Sequence, residues 1–288
     1  MTVARPAALG AQLDPRHAAV WRGLADVLAA AGPAGAPLTV VDAGGGSGGF
    51  AVPLARRGHR VTVVDPSQDA LAALARRAAD AGVADRITGR QGDLAELAAA
   101  AGPAVAAAGG ADLLLCHAVL DQVDDPERSL AAAMRVLRPG GWLSLLVAGR
   151  PGAVLARALA GRFGEAAQVL ASGGEKAGRD DRAVPGRETG HAESTRRFDT
   201  DEAMTLVRAA GAEVVAVHGV RVFADLAGPP HQPGPGPGAA DREPPAGWAA
   251  QLAALEAAVS ARPPYRDLAA QLHLLARRTP APLGPATR

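Results

Sequence analysis

The chain has a single cysteine, Cys116, so it cannot form an internal disulfide. Lys176 is its only lysine, and the rest of its 30 basic residues are arginines. These face 29 Asp and Glu residues, leaving a formal net charge of +1. Nucleic-acid binders usually show a clear basic excess, which is missing here. Aromatic residues make up 3 % of the chain, too few for a base-stacking surface. No apolar run approaches the roughly 18 residues of a membrane span. The start, MTVARPAALGAQLDPRHAAV, lacks the charged head and continuous apolar stretch of a secretory signal. A soluble cytoplasmic protein is therefore expected. The histidines, at 17, 59, 117, 191, 218, 231 and 273, lack zinc-ligand spacing, so no metal site is expected. No G-x-S-x-G nucleophile elbow occurs.

What the chain does have is apolar substance. Hydrophobic residues are 48 % of 288, enough to bury a full core without staples. The arginine bias accompanies Ala, Gly and Pro, all encoded by GC-rich codons, so it does not by itself point to an anionic ligand.

Residues 17–31 have helical apolar spacing and stop at Gly32-Pro33. Short apolar runs at 38–41 and 60–64 each lead into an aspartate, Asp42 and Asp65, and read as buried strands. Helices are expected at 50–57 and 69–81, closed by Gly58 and Gly82. Further strands are expected at 87–90, 113–119 and 142–147, the last after a Pro139-Gly140-Gly141 turn, with a helix at 127–137. Strands alternating with helices give an α/β chain with a doubly wound sheet. Beyond it come a short helix near 154–170, a helix from a Thr200 cap to Ala210, an extended segment at 213–217 and 219–223, a helix at 248–259 and a strand at 271–276. Residues 172–197 form a polar loop of mixed charge, read either as a mobile surface loop or as a lid. Residues 228–245, rich in Pro and Gly, read as a disordered insertion.

The strongest motif is VVDAGGGSGGF. Glycines 44, 46 and 49 fit the G-x-G-x-x-G dinucleotide fingerprint, and 44, 46 and 48 fit the G-x-G-x-G loop of S-adenosylmethionine enzymes. Its place between a strand and a helix is the context that gives such a pattern meaning. Asp42 separates the two: an acid there repels a pyrophosphate and favours an ammonium group. Asp65, at the end of the second strand, can accept hydrogen bonds from both hydroxyls of a ribose. The alternative is a helix-capping aspartate. Asp93 and Leu94 follow the third strand, where an adenine ring would rest. His117 ends the fourth strand, on the side where open α/β sheets bind ligands. Cys116 reads as a small core residue.

In order, VVDAGGGSGG, VTVVD, HAVLDQVDDP and VLRPGGWLSLLV resemble the class I S-adenosylmethionine-dependent methyltransferases. DAGGG, HAVL, LRPGG, GVRVF (219–223), Leu255-Glu256 and Pro264-Tyr265 narrow the resemblance to the bacterial tRNA 5-carboxymethoxyuridine methyltransferase family. The resemblance implies a Rossmann-like sheet of seven strands, the last antiparallel, in one methyltransferase domain over 1–288. It implies S-adenosylmethionine as cofactor, with Arg16, Gly44, Gly45, Asp65, Asp93, Leu94 and His117 as contacts; Asp42 and Gly46 join them from the motif. It also implies methylation of a tRNA carboxylate. The family's lysine-rich stretch and an aromatic-Asn pair are replaced here by residues 172–197 and Ala148-Gly149. The alternative acceptor is therefore a small molecule carrying a carboxylate or hydroxyl. A regulatory nucleotide binder without catalysis is the third reading, disfavoured by the intact Gly44-to-Asp65 constellation. Arg221, set among Val220, Val222 and Phe223, is the candidate catalytic residue. On a strand it would grip a substrate carboxylate or pair with Asp225.

Overall fold

The computed structural model describes residues 17–32, 35–172, 196–226 and 247–280. Arg16, residues 173–195 of the mixed-charge loop and the Pro/Gly insertion at 228–245 lie outside them. Strands β1 (Thr39–Ala43), β2 (Arg60–Asp65), β3 (Ile87–Gln91), β4 (Ala111–His117), β5 (Leu137–Ala148), β6 (Ala212–Val220) and β7 (Gln271–Arg278) form one sheet in the order β3-β2-β1-β4-β5-β7-β6. The pairs from β3 to β5 are parallel, and β7 runs antiparallel to both β5 and β6. This is the expected Rossmann-like sheet. Chain order reverses between β1 and β4, the switch point at which such sheets bind ligands.

Alternating residues build two cores. Val40, Val61, Val63, Leu113 and Leu115 face helices α1 (Ala18–Ala30), α2 (Ala51–Arg56) and α3 (Gln68–Asp80). Their neighbours Val41, Val64, Leu114 and Cys116 face α4 (Leu97–Ala100), α5 (Pro103–Ala107), α6 (Pro126–Ala133) and α9 (Thr200–Ala209). Runs such as Leu113 to Cys116 are apolar throughout because both faces are covered. Cys116 is fully buried, and burial pushes its thiol up, so it serves as core.

Several local expectations are corrected. The Pro139-Gly140-Gly141 segment lies inside β5, where the register with β4 jumps from Ala111–Leu137 to Leu113–Trp142. The helix expected near 154–170 is two helices, α7 (Arg150–Leu159) and α8 (Phe163–Ala171), parted at the left-handed Gly161. Asp199, rather than Thr200, caps α9: it accepts from the Glu202 N–H while the Glu202 carboxylate accepts from the Asp199 N–H. Thr200 instead donates to Asp267 Oδ1 at 2.7 Å. Helices α4 and α5 have no counterpart in the reading, because their alanine-rich stretch shows no apolar period. Strand β6 ends at Val220, so residues 221–223 are not strand.

Arg150 ties the region after β5 together. Its guanidinium, 8 % exposed as a residue, meets Asp199, Glu202 and the Arg197 carbonyl. Phe198 donates to the Ala148 carbonyl, and Arg150 N–H donates to Phe198, closing a short bridge beside the carboxyl end of β5.

Candidate active site

The turn after β1 is shaped by what a side chain would strike. Gly44 has φ +67°, and its N–H donates to the Val64 carbonyl at 2.7 Å. A Cβ there would lie 2.4 Å from Val119 Cγ2. A Cβ on Gly45 would lie 2.5 Å from Asp42 Oδ2. Gly44→Ala is therefore expected to strain the turn by about 1–2 kcal/mol, the cost of a left-handed L-residue, plus the displacement of Val119. Thermal melts should show the loss without ligand.

Asp42 is 2 % exposed, and its Oδ2 has no partner. Burial, reinforced by the negative charge of Asp65, pushes its carboxyl up to about 7. Asp65, 7 % exposed, accepts from Gly46 N–H through Oδ2 and from Ser67 N–H through Oδ1, both at 2.9 Å. Ser67 is the cap of α3, so the capping alternative for Asp65 is excluded. A carboxylate has about four acceptor positions, so each Asp65 oxygen retains capacity for a ligand hydroxyl.

Gly44, Asp65, Asp93 and Leu94 line one cavity of about 280 Å³, with Ala118, Val119 and Gln122 opposite. Asp93 Oδ1 also accepts from Glu96 N–H at 3.0 Å. Leu94 is buried beneath. His117 is not in this wall. Its ring packs edge-on to Phe50, with centroids 4.5 Å apart, and its Nε2 lies 2.9 Å from Ser144 Oγ. Phe50 in turn stacks on Trp21 of α1.

A second cavity, about 630 Å³, shares Ala118 and Gln122 with the first. Arg157, Arg197 and Arg221 line it, together with Asp121 and Asp225. Ala118 (φ 56°) and Arg221 (φ 58°) are the left-handed non-glycine residues among those described, and both stand in this wall. Arg221 is thus in a bend, not in an alternating strand. Its Nη2 is 3.4 Å from Asp225 Oδ2, and its buried Nε has no partner among the described residues. The bend is secured by Glu256 of α10 (Trp248–Val259), whose carboxylate accepts from the N–H groups of Val222, Phe223 and Ala224 at 2.7–2.9 Å. Burial pushes the Asp121 carboxyl up to about 6, against the pull of the Ala148 N–H and the charge of Arg197. Sequence reasoning assigned no role to Asp121 and Gln122, although both lie within the HAVLDQVDDP segment, and it missed Arg157 and Arg197, which carry no motif. Glu256 was visible only as part of the resemblance.

Residues 41–145 match the family described as a methyltransferase domain. The tRNA 5-carboxymethoxyuridine methyltransferase of Escherichia coli is 37 % identical over 148 residues, which cover 51 % of this chain and 54 % of that enzyme. The ubiquinone biosynthesis O-methyltransferase of Caulobacter vibrioides is 34 % identical over 124 residues, 43 % of this chain and 46 % of that enzyme. The chain thus spans about half the length of the curated relatives it matches. Among solved structures, a magnesium protoporphyrin IX methyltransferase from Synechocystis shares the fold, with a TM-score of 0.54 and 15 % identity. That likeness covers 92 % of this chain and 84 % of the other. Residues 41–145, which carry the glycine turn and the acid-tipped strands, are thus similar to the methyltransferase-domain family, on a sheet with the fold of the solved methyltransferases.

Proposed function

We propose that this protein transfers the methyl group of S-adenosylmethionine to a carboxylate, and that the carboxylate is that of 5-carboxymethoxyuridine in tRNA. The observation that carries this reading is the pair of adjoining cavities, one walled by the glycine turn and Asp65, the other by three arginines. When bound, the cofactor supplies an electrophilic methyl on a sulfonium. Asp65 holds the ribose, Asp93 and Leu94 meet the adenine, and Gly44, Gly45 and Gly46 give it backbone without side chains. His117 is assigned to the methionine end; Arg16, which the resemblance assigns to the cofactor carboxylate, is outside the described residues. Asp42 faces the ammonium; its orphaned oxygen and raised protonation are what such a partner would correct. Arg221 grips the acceptor carboxylate. An ionised carboxylate needs no general base, so catalysis here is positioning and orientation.

No helix among the described residues is long and apolar enough to cross a membrane, in keeping with a cytoplasmic tRNA acceptor. The described elements act as one methyltransferase domain in this reading. A small-molecule acceptor is the second reading. It is favoured by the acceptor cavity having, among the described residues, no aromatic side chain on which a base could stack. Incubation with tritiated cofactor separates the two. The first reading expects label in tRNA nucleosides bearing the carboxymethoxy group. Label only in small carboxylates would favour the second.

The Asp42 assignment carries a pH signature. Its pKa lies above the ordinary 3.8, so its contribution to folding is full below about pH 4 and is lost as pH rises through about 7. An ammonium partner reverses the preference and favours the carboxylate. Affinity for S-adenosylmethionine should rise between about pH 6 and 8, approaching tenfold per unit on the acid side. Methylthioadenosine, which lacks the ammonium, should show no such rise. Equal pH dependence of the two in calorimetric titrations would place the ammonium elsewhere.

A further inference from the structure

His117 meets two side chains with no stated part in methyl transfer, Ser144 and His273, within the sheet. Ser144 Oγ of β5 lies 2.9 Å from His117 Nε2 of β4 and 2.8 Å from His273 Nε2 of β7. Ser144 and His273 have no exposed surface, whereas His117 retains some. Burial drives His117 down to about 3 and His273 well below its ordinary value, so both rings are neutral. Neither Nδ1 has a partner.

A neutral imidazole carries one proton, and a serine hydroxyl donates one. Ser144 has no third partner among the described residues. Three proton arrangements follow. If both rings donate to Ser144, its own hydroxyl proton is stranded where no water reaches. If Ser144 donates to His273, the stranded proton is on His273 Nδ1. That nitrogen packs toward Gly23 of α1, where an added Cβ would lie 3.4 Å away, and it has no hydrogen-bond partner among the described residues. If His273 donates to Ser144 and Ser144 donates to His117, the unpaired proton is on His117 Nδ1. A buried donor without an acceptor costs more than an idle lone pair. Only in the third arrangement does the unpaired donor belong to the ring at the ligand-binding end of the sheet. That ring keeps some exposed surface, but its Nδ1 is buried and its face is covered edge-on by Phe50, so a bound molecule completes it only where the Phe50 ring gives way.

We propose that the buried His273–Ser144 pair locks His117 as its Nδ1–H tautomer, and that this proton is a donor reserved for an oxygen of the bound cofactor. Ser144 and His273 are positioning residues, acting through His117. Both the donor role and the choice of tautomer rest on the cofactor reading above.

Proton–nitrogen correlation spectra of histidine-labelled protein test both parts. The His117 signals are assigned by their loss in His117→Asn. Without ligand, the His117 ring should show a protonated Nδ1 and a bare Nε2. Saturating S-adenosylhomocysteine should move the Nδ1 signal. Ser144→Ala should shift the ring toward its Nε2–H form and weaken S-adenosylhomocysteine binding about tenfold, the worth of one hydrogen bond. His273→Gln, whose amide can still donate to Ser144, should preserve the tautomer and most of the affinity. A protonated Nε2 on His117 in the parent protein would overturn the lock, whatever the variants do. A correct tautomer whose Nδ1 signal stays still at ligand saturation would overturn the donor role, while the saturation itself upholds the cofactor reading. Absence of any binding would remove the cofactor reading and the donor role together.

Discussion

Asp65→Ala is expected to lower both cofactor affinity and the stability of the unliganded fold. A loop-end carboxylate meeting only ligand would matter little before the ligand arrives. Asp65 does more, because its two oxygens take the N–H groups of Gly46 and Ser67. Removing it takes the acceptor from both donors, of which Gly46 is half-buried and Ser67 exposed, and loosens the glycine turn from the cap of α3. Hydrogen bonds to a charged group are worth about 1.5–3 kcal/mol. A loss of that size is expected in thermal unfolding without ligand, and a further loss of about the same size in cofactor binding. Asp65→Asn should fall between, since its amide can accept one backbone bond but presents N–H to the other donor. Calorimetric titration and unfolding of the two variants give both quantities. Unchanged affinity in Asp65→Ala would sink the ribose assignment.

The acceptor side should respond differently. Arg221→Lys keeps the charge and loses the planar fork, so methyl transfer should fall about a hundredfold through misplacement of the acceptor. Cofactor affinity should stay as it was, since Arg221 stands only in the second cavity. Its neighbour Asp225 supplies an alternative partner at 3.4 Å, so a purely structural pairing is the competing outcome. Loss of the fold or of cofactor binding in Arg221→Lys would establish that outcome, as would a full rate of transfer. Glu256→Gln refines the test. The amide retains an acceptor oxygen but loses the charge that gathers three backbone N–H groups. Acceptor KM should then rise with Arg221 itself intact, because the bend that aims it is slackened.

The fold was largely legible from local chemistry. Strands ending in Asp42 and Asp65 and helices closed by Gly58 and Gly82 are short-range signals, and the structure places those elements within a residue or two. Errors arose where two local signals competed. Pro139-Gly140-Gly141 has the composition of a turn, yet strand pairing on both sides carries β5 through it. Thr200 and Asp199 are both good caps, and only the reach of Glu202 back to the Asp199 N–H decides between them.

The sequence by itself determined the glycine turn and the strand-end acids of the sheet's first half, the features that make it similar to methyltransferase domains. A glycine turn and two strand-end acids are set by neighbours along the chain, and their spacing survives in one dimension. The proposed acceptor side was visible in the sequence only at Arg221 and Glu256, and its assembly was decided by tertiary structure. Asp121, Arg157, Arg197, Arg221 and Glu256 come from five separate stretches, and no spacing relates them. The strand expected around Arg221 became a left-handed bend because Glu256, 35 positions away, captures the three N–H groups that follow it. The same holds for His117, whose single proton is placed by Ser144 and His273, residues that meet it only when β4, β5 and β7 align. Backbone turns are governed by local sterics, whereas the direction of a charged or tautomeric side chain is governed by whichever partners the fold delivers to it.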